Sequence, residues 1–148
     1  MRSVVLALLA AFFCASAIAA PLPRETLSIA TKHGHAVFNV EIAADQASQE
    51  KGLMYRRYMA PNAGMLFDFH EPVYATFWMK NTRLSLDMIF IRPDGTIADI
   101  AANAKPYSLR LVKSPEAVRA VLEINGGRAA ALGIEPGQRV TDGIFTAR

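Results

Sequence analysis

LDMIFIRPDGTIADIA, Leu86 to Ala101, decides the fold. Proline presets its own φ, aspartate bonds nearby backbone and glycine tolerates positive φ, so Pro93-Asp94-Gly95 is a turn. Runs rich in isoleucine flank it, and Asp87–Ile91 with Thr96–Ile100 is expected as a hairpin. Upstream, GMLFDFH (Gly64–His70) and VYATFWMK (Val73–Lys80) have strand lengths and strand composition. TLSIAT (Thr26–Thr31) and AVFNVEIA (Ala36–Ala43) form another pair, turned at Lys32-His33-Gly34-His35. Between the two groups, Asp45 offers an N-cap to a two-turn helix that ends at Gly52.

Downstream, AVRAVLEI (Ala117–Ile124) alternates like a strand, although its alanines leave a helix open. Asn125-Gly126-Gly127 stops it, Ala129–Ala131 suggests one helical turn, and a last strand runs through Val140. Many short strands with one or two short helices imply a mainly β chain. The expectation is a single antiparallel β-sandwich or barrel-like domain over residues 21–148.

Residues 1–20 read as a cleaved signal peptide. Arg2 is followed by an apolar run from Val4 to Phe13 and by Ala17-Ile18-Ala19, which suits signal peptidase. The run is short of the roughly 20 residues a bilayer span needs, so no permanent membrane anchor is expected. Cys14 follows Phe13 rather than a small residue, so it is not a lipidation site and leaves with the leader. The mature domain then has no cysteine and no disulfide, and its core alone must hold it. A periplasmic or secreted protein follows. Removing Arg2 from the net charge of +3 leaves +2, spread without a block of like charge, so no nucleic-acid partner is expected.

Five blocks, in order, carry a resemblance. They are Glu50-Lys51-Gly52-Leu53-Met54, Gly64-Met65-Leu66-Phe67, Phe77-Trp78-Met79-Lys80-Asn81-Thr82, Leu86-Asp87-Met88-Ile89-Phe90-Ile91 with Gly95, and Val121-Leu122-Glu123 with Gly133-Ile134-Glu135-Pro136-Gly137. Together they resemble the bacterial and archaeal family called domain of unknown function 192. Many members place Ile-Pro before Leu-Asp, where this chain has Leu84-Ser85. The resemblance implies a mostly β fold. It implies no activity, substrate, cofactor or catalytic residue.

The residues themselves nominate a site. On an extended segment Trp78 and Lys80 share one side while Phe77 and Met79 face the core. An indole wall beside an ammonium suits an anionic or sugar-like ligand. Asn81 and Thr82 suit a turn cap, and Asp87 is placed to meet Lys80 as an ion pair. Two readings stand: Lys80, Asn81 and Asp87 satisfy one another and pin the hairpin, or with Trp78 they form a ligand or partner surface. Glu123 interrupts an apolar run, so it is solvated or buried beside a partner, with Lys80 or Arg56 as candidates. Paired with Asp87 it would make a carboxylate couple for carbohydrate or cell-wall cleavage. A weaker alternative is copper, held by dispersed methionine thioethers with His33 and His35; two histidines in a turn do not make a metal site. Neither a nucleophile elbow nor a glycine-rich phosphate loop is present, and no cofactor is expected.

Overall fold

A computed structural model describes residues 20–145, so residues 1–19 of the expected leader lie outside the described residues. The strands are β1 (Arg24–Thr31), β2 (Gly34–Ala43), β3 (Ala63–Val73), β4 (Thr76–Phe77), β5 (Leu86–Ile91), β6 (Ile97–Ala104), β7 (Val112–Lys113), β8 (Val118–Asn125) and β9 (Val140–Thr141). Helix α1 covers Gln46–Lys51 and α2 covers Arg128–Leu132. Seven strands form one sheet in the order β6-β5-β8-β3-β2-β1-β9, and β4 pairs with β7 in a small second sheet.

The expected hairpin is present: Gly95 turns at φ 83°, and β5 pairs antiparallel with β6. The helix cap is present too. Asp45 accepts the Ser48 N–H at 2.9 Å, while Ser48 Oγ accepts the Asp45 N–H at 3.3 Å. Such a reciprocal box satisfies amides that the first turn leaves open. The region 117–124 resolves as strand β8, paired on both sides by β3 and β5.

Two expectations are corrected. The sheet is mixed, because β2 and β3 run parallel, Asn39 opposite Ala63 through Ala43 opposite Phe67. Parallel neighbours need a crossover, supplied by α1 and the segment to Asn62. In the stretch 73–80, Val73 closes β3 and only Thr76–Phe77 forms a strand of its own; Met79 then donates its N–H to the Ser108 carbonyl at 2.9 Å and leaves the ladder.

Each face of the large sheet carries its own core. One cluster holds Leu27, Phe38, Leu66, Ile89, Leu122, Ile97 and Val140. Ile97 and Val140 come from opposite ends of the strand order, so the sheet curls around this cluster. A bridge from Thr96 to Arg139 and the bond from the Val140 N–H to the Gly95 carbonyl at 2.8 Å bring the two ends together. The second cluster, with Met65, Phe67, Met79, Leu86, Met88, Phe90 and Val121, lies on the other face. Strand β5 is buried at all six positions, which explains a run that is apolar except at Asp87. Among the described residues no helix is long and apolar enough to cross a membrane.

Candidate functional site

On the second face, α1, the following turn, the end of β3 and the β4 region enclose a cleft of about 370 Å³. Its wall is aromatic: Phe67 meets Phe77 edge-on at 5.0 Å between centroids, and Phe69 stands 6.5 Å from Phe77. Gln49, Glu50 and Lys51 bring polar atoms from α1, while Trp78 and Tyr74 add further rings to the lining.

Glu123 lines the same cleft. It sits on β8 between Met65 of β3 and Met88 of β5, directly opposite each in the ladder. Only 4 % of the residue is exposed. Neither Arg56 nor Lys80 reaches it, and among the described residues its side chain has no hydrogen bond or ion pair. Burial without a partner penalises the carboxylate, and the carboxyl pKa is pushed up to about 8. Glu123 therefore lies in the cleft as a neutral acid with a proton to donate.

Asp87 is elsewhere. Its register partner on β8 is Ile124, not Glu123, so the pleat turns it to the opposite face. There it is fully buried and accepts three backbone N–H bonds. Oδ1 takes Asn103 at 2.8 Å and Gly127 at 3.0 Å, and Oδ2 takes Ala129 at 2.8 Å. The carboxylate thus serves the open amides at the start of α2. Gly126 must be glycine beside it, since a Cβ there would collide with Ser85. The expected Lys80–Asp87 ion pair does not form, and neither does the Asp87–Glu123 couple, because three amides already occupy the aspartate.

Trp78 and Lys80 do share a side, as alternation implies. Lys80 Nζ lies 4.9 Å from the indole centroid, in cation–π geometry. Met79 is buried and Phe77 partly so. Asn81 adopts φ 54°, which asparagine tolerates better than most residues. Its Nδ2 donates to the Tyr55 hydroxyl at 2.8 Å, and its carbonyl accepts the Tyr55 N–H at 2.9 Å. Arg56 pairs with Glu41, which also meets Arg24 at 3.3 Å, in a separate hollow of about 190 Å³.

The histidines do not converge with the methionines. His35 Nδ1 contacts Ser28 Oγ at 3.2 Å in the β1–β2 hairpin, and no cluster of three or more His, Cys, Asp or Glu occurs among the described residues. A buried polar network escaped the sequence reading. Asp68 on β3 meets Arg119, takes the His70 N–H at 2.8 Å, and lies 3.5 Å from His70 Nδ1. His70 sits at φ 64°, where the ladder between β3 and β8 shifts register. The available signal was Asp68 itself, a lone acid in an apolar run.

A protein of solved structure from Sinorhizobium meliloti 1021, described as "a putative transcription regulator", is similar to this chain: it is 46 % identical, with TM-score 0.80, covering 83 % of this chain and 96 % of its own. A protein of unknown function from Novosphingobium aromaticivorans DSM 12444 is 42 % identical, with TM-score 0.80, covering 84 % of this chain and 94 % of its own. No curated protein matches. The model of the DUF192 family, described as "Uncharacterized ACR", matches residues 28–141, and the chain belongs to that family.

Proposed function

We propose that this chain is an exported, non-catalytic binding domain whose cleft takes a small ligand with an apolar body and an oxygen acceptor. The observation that carries the reading is Glu123, a buried carboxyl with no partner of its own at the wall of a cleft. A buried polar group ordinarily has a partner, and one without it leaves a hydrogen bond for a ligand to complete. At pH 7 a carboxyl with pKa about 8 is protonated by roughly ten to one, so it donates to a carbonyl, carboxyl or hydroxyl oxygen. The phenylalanine wall covers the apolar body, and Trp78 with Lys80 above its ring stands at the rim. Export is supported by the leader features around Arg2, Val4–Phe13 and Ala17-Ile18-Ala19.

A thermal-shift screen against organic acids, sugars and cell-wall fragments tests the reading, run beside a Glu123→Leu variant. Compounds that bind only the native state raise its midpoint. At least one is expected to raise the wild-type midpoint and leave the variant unmoved. No shift with any compound, or equal shifts in both proteins, refutes the reading.

A second reading rests on the methionines. Met54 and Met79 line the cleft, and Met65 and Met88 flank Glu123. Thioethers are soft ligands that favour Cu(I). His33 and His35 play no part in it. Cu(I) titration followed by Trp78 emission separates the two, since only this reading expects quenching that Met79→Leu removes.

A further inference from the structure

The fold gathers charge that looks dispersed along the sequence. Three distant segments lie side by side: the Tyr55 N–H bonds to the Asn81 carbonyl at 2.9 Å, the Tyr107 N–H to Thr82 at 3.0 Å, and the Met79 N–H to Ser108 at 2.9 Å. Phe77 also pairs with Val112. Segments 55–58, 74–83 and 105–113 hold seven of the 16 Lys and Arg and none of the 13 Asp and Glu. Elsewhere basic residues are outnumbered by acids, so the chain is polarised. Arg56 is engaged by Glu41. Arg57, Lys80, Arg83, Lys105, Arg110 and Lys113 are exposed and form no ion pair with any described residue.

Large apolar side chains stand among these cations. Tyr58, Tyr74 and Tyr107 are exposed, as are Trp78, Leu109 at 66 % and Leu111 at 51 %. A soluble surface has little use for two open leucines beside four aromatic rings, and such a patch marks an interaction site.

We propose that this face docks reversibly on a bilayer surface that contains anionic lipid. Tyrosine and tryptophan favour the headgroup level, where an apolar ring and a polar edge are both satisfied. Leu109 and Leu111 reach the acyl boundary, and six cations without acid neighbours meet lipid phosphates. Single-stranded nucleic acid would use the rings and cations but gains nothing by stacking on aliphatic leucines. Leu109 and Leu111 therefore favour lipid. The face and the cleft share Trp78 and Tyr74, but the inference does not rest on the ligand reading, because none of the six cations and neither leucine lines the cleft.

Vesicle co-sedimentation of the full chain tests it, with vesicles of phosphatidylglycerol in phosphatidylcholine against phosphatidylcholine alone. Any contribution from the leader is common to all proteins compared. The anionic vesicles are expected to bind about tenfold more tightly, with the advantage shrinking as salt rises. Reversing Lys105, Arg110 and Lys113 to glutamate removes the preference, and Leu109→Ser with Leu111→Ser weakens binding at unchanged thermal midpoint. Should either variant misfold, the blue shift of Trp78 emission on anionic vesicles reads the docking in the wild type. Glu123→Gln binds vesicles as the wild type does. Equal binding to both vesicle types, unaltered binding by the folded variants, or displacement from vesicles by an oligothymidine strand overturns the proposal.

Discussion

Asp87 and Glu123 lie on adjacent strands of one sheet and on opposite faces of it. Asp87 stands across from Ile124, and Glu123 from Met88. One residue of offset separates two carboxyls with opposite surroundings. Asp87 is saturated by backbone amides, while Glu123 has no partner among the described residues.

Glu123 makes stability depend on pH. In the fold its carboxyl keeps its proton up to about pH 8, whereas the unfolded chain releases it near the ordinary value of 4.5. Across that window the native state binds more protons, so stability falls as pH rises, by roughly 1.4 kcal/mol per pH unit. Urea unfolding at a series of pH values is expected to show this slope, and Glu123→Gln to flatten it. Wild-type stability that rises from pH 5 to pH 8 would contradict the burial of an unpaired acid.

Asp87→Ala deprives the amides of Asn103, Gly127 and Ala129 of their acceptor. Leaving buried donors without partners is costly, and a loss of about 3–5 kcal/mol is expected. Asp87→Asn keeps one acceptor oxygen and loses less. Denaturant midpoints of the two variants decide the matter, and a near-neutral alanine variant would refute the capping role.

Lys80→Ala touches only a surface contact. The ammonium lies over Trp78 and meets no carboxylate among the described residues. A stability loss of about 0.5–1 kcal/mol is expected, together with a change in Trp78 emission. If calorimetry shows a loss of several kcal/mol, the lysine has a buried role that this geometry lacks.

Asp68→Ala separates Arg119 from its carboxylate and frees His70 from the bond that holds its left-handed backbone. Breaking a largely buried pair from one side costs about 3 kcal/mol or more. Amide hydrogen exchange is expected to rise most around His70. Protection that stays uniform along β3 would count against a local brace.

What could be read in advance depended on how far each signal reached. The 93–95 turn and the Asp45–Ser48 cap are written in neighbouring residues, and they were legible. The parallel pairing of β2 with β3 depends on a crossover, which local patterning does not encode. Trp78 and Lys80 keep their common side without a ladder because burial of Met79 enforces the alternation that a strand would. The partners of Asp87 are main-chain amides, which have no letter in a sequence. Side-chain charge alone pairs Asp87 with Lys80 across the turn, and the three amides forestall that pairing. The cations of 55–58, 74–83 and 105–113 read as scattered, because only backbone bonds between those segments bring them together.

The fastening at Asp87 also has a temporal side. Asn103, Gly127 and Ala129 reach it from 16 to 42 positions away, so the clasp cannot close until distant stretches have already met. Closing loops of that span costs entropy before any contact rewards it. The clasp thus belongs to the last moments of folding: weakening it should hasten unfolding and hardly slow the forward reaction.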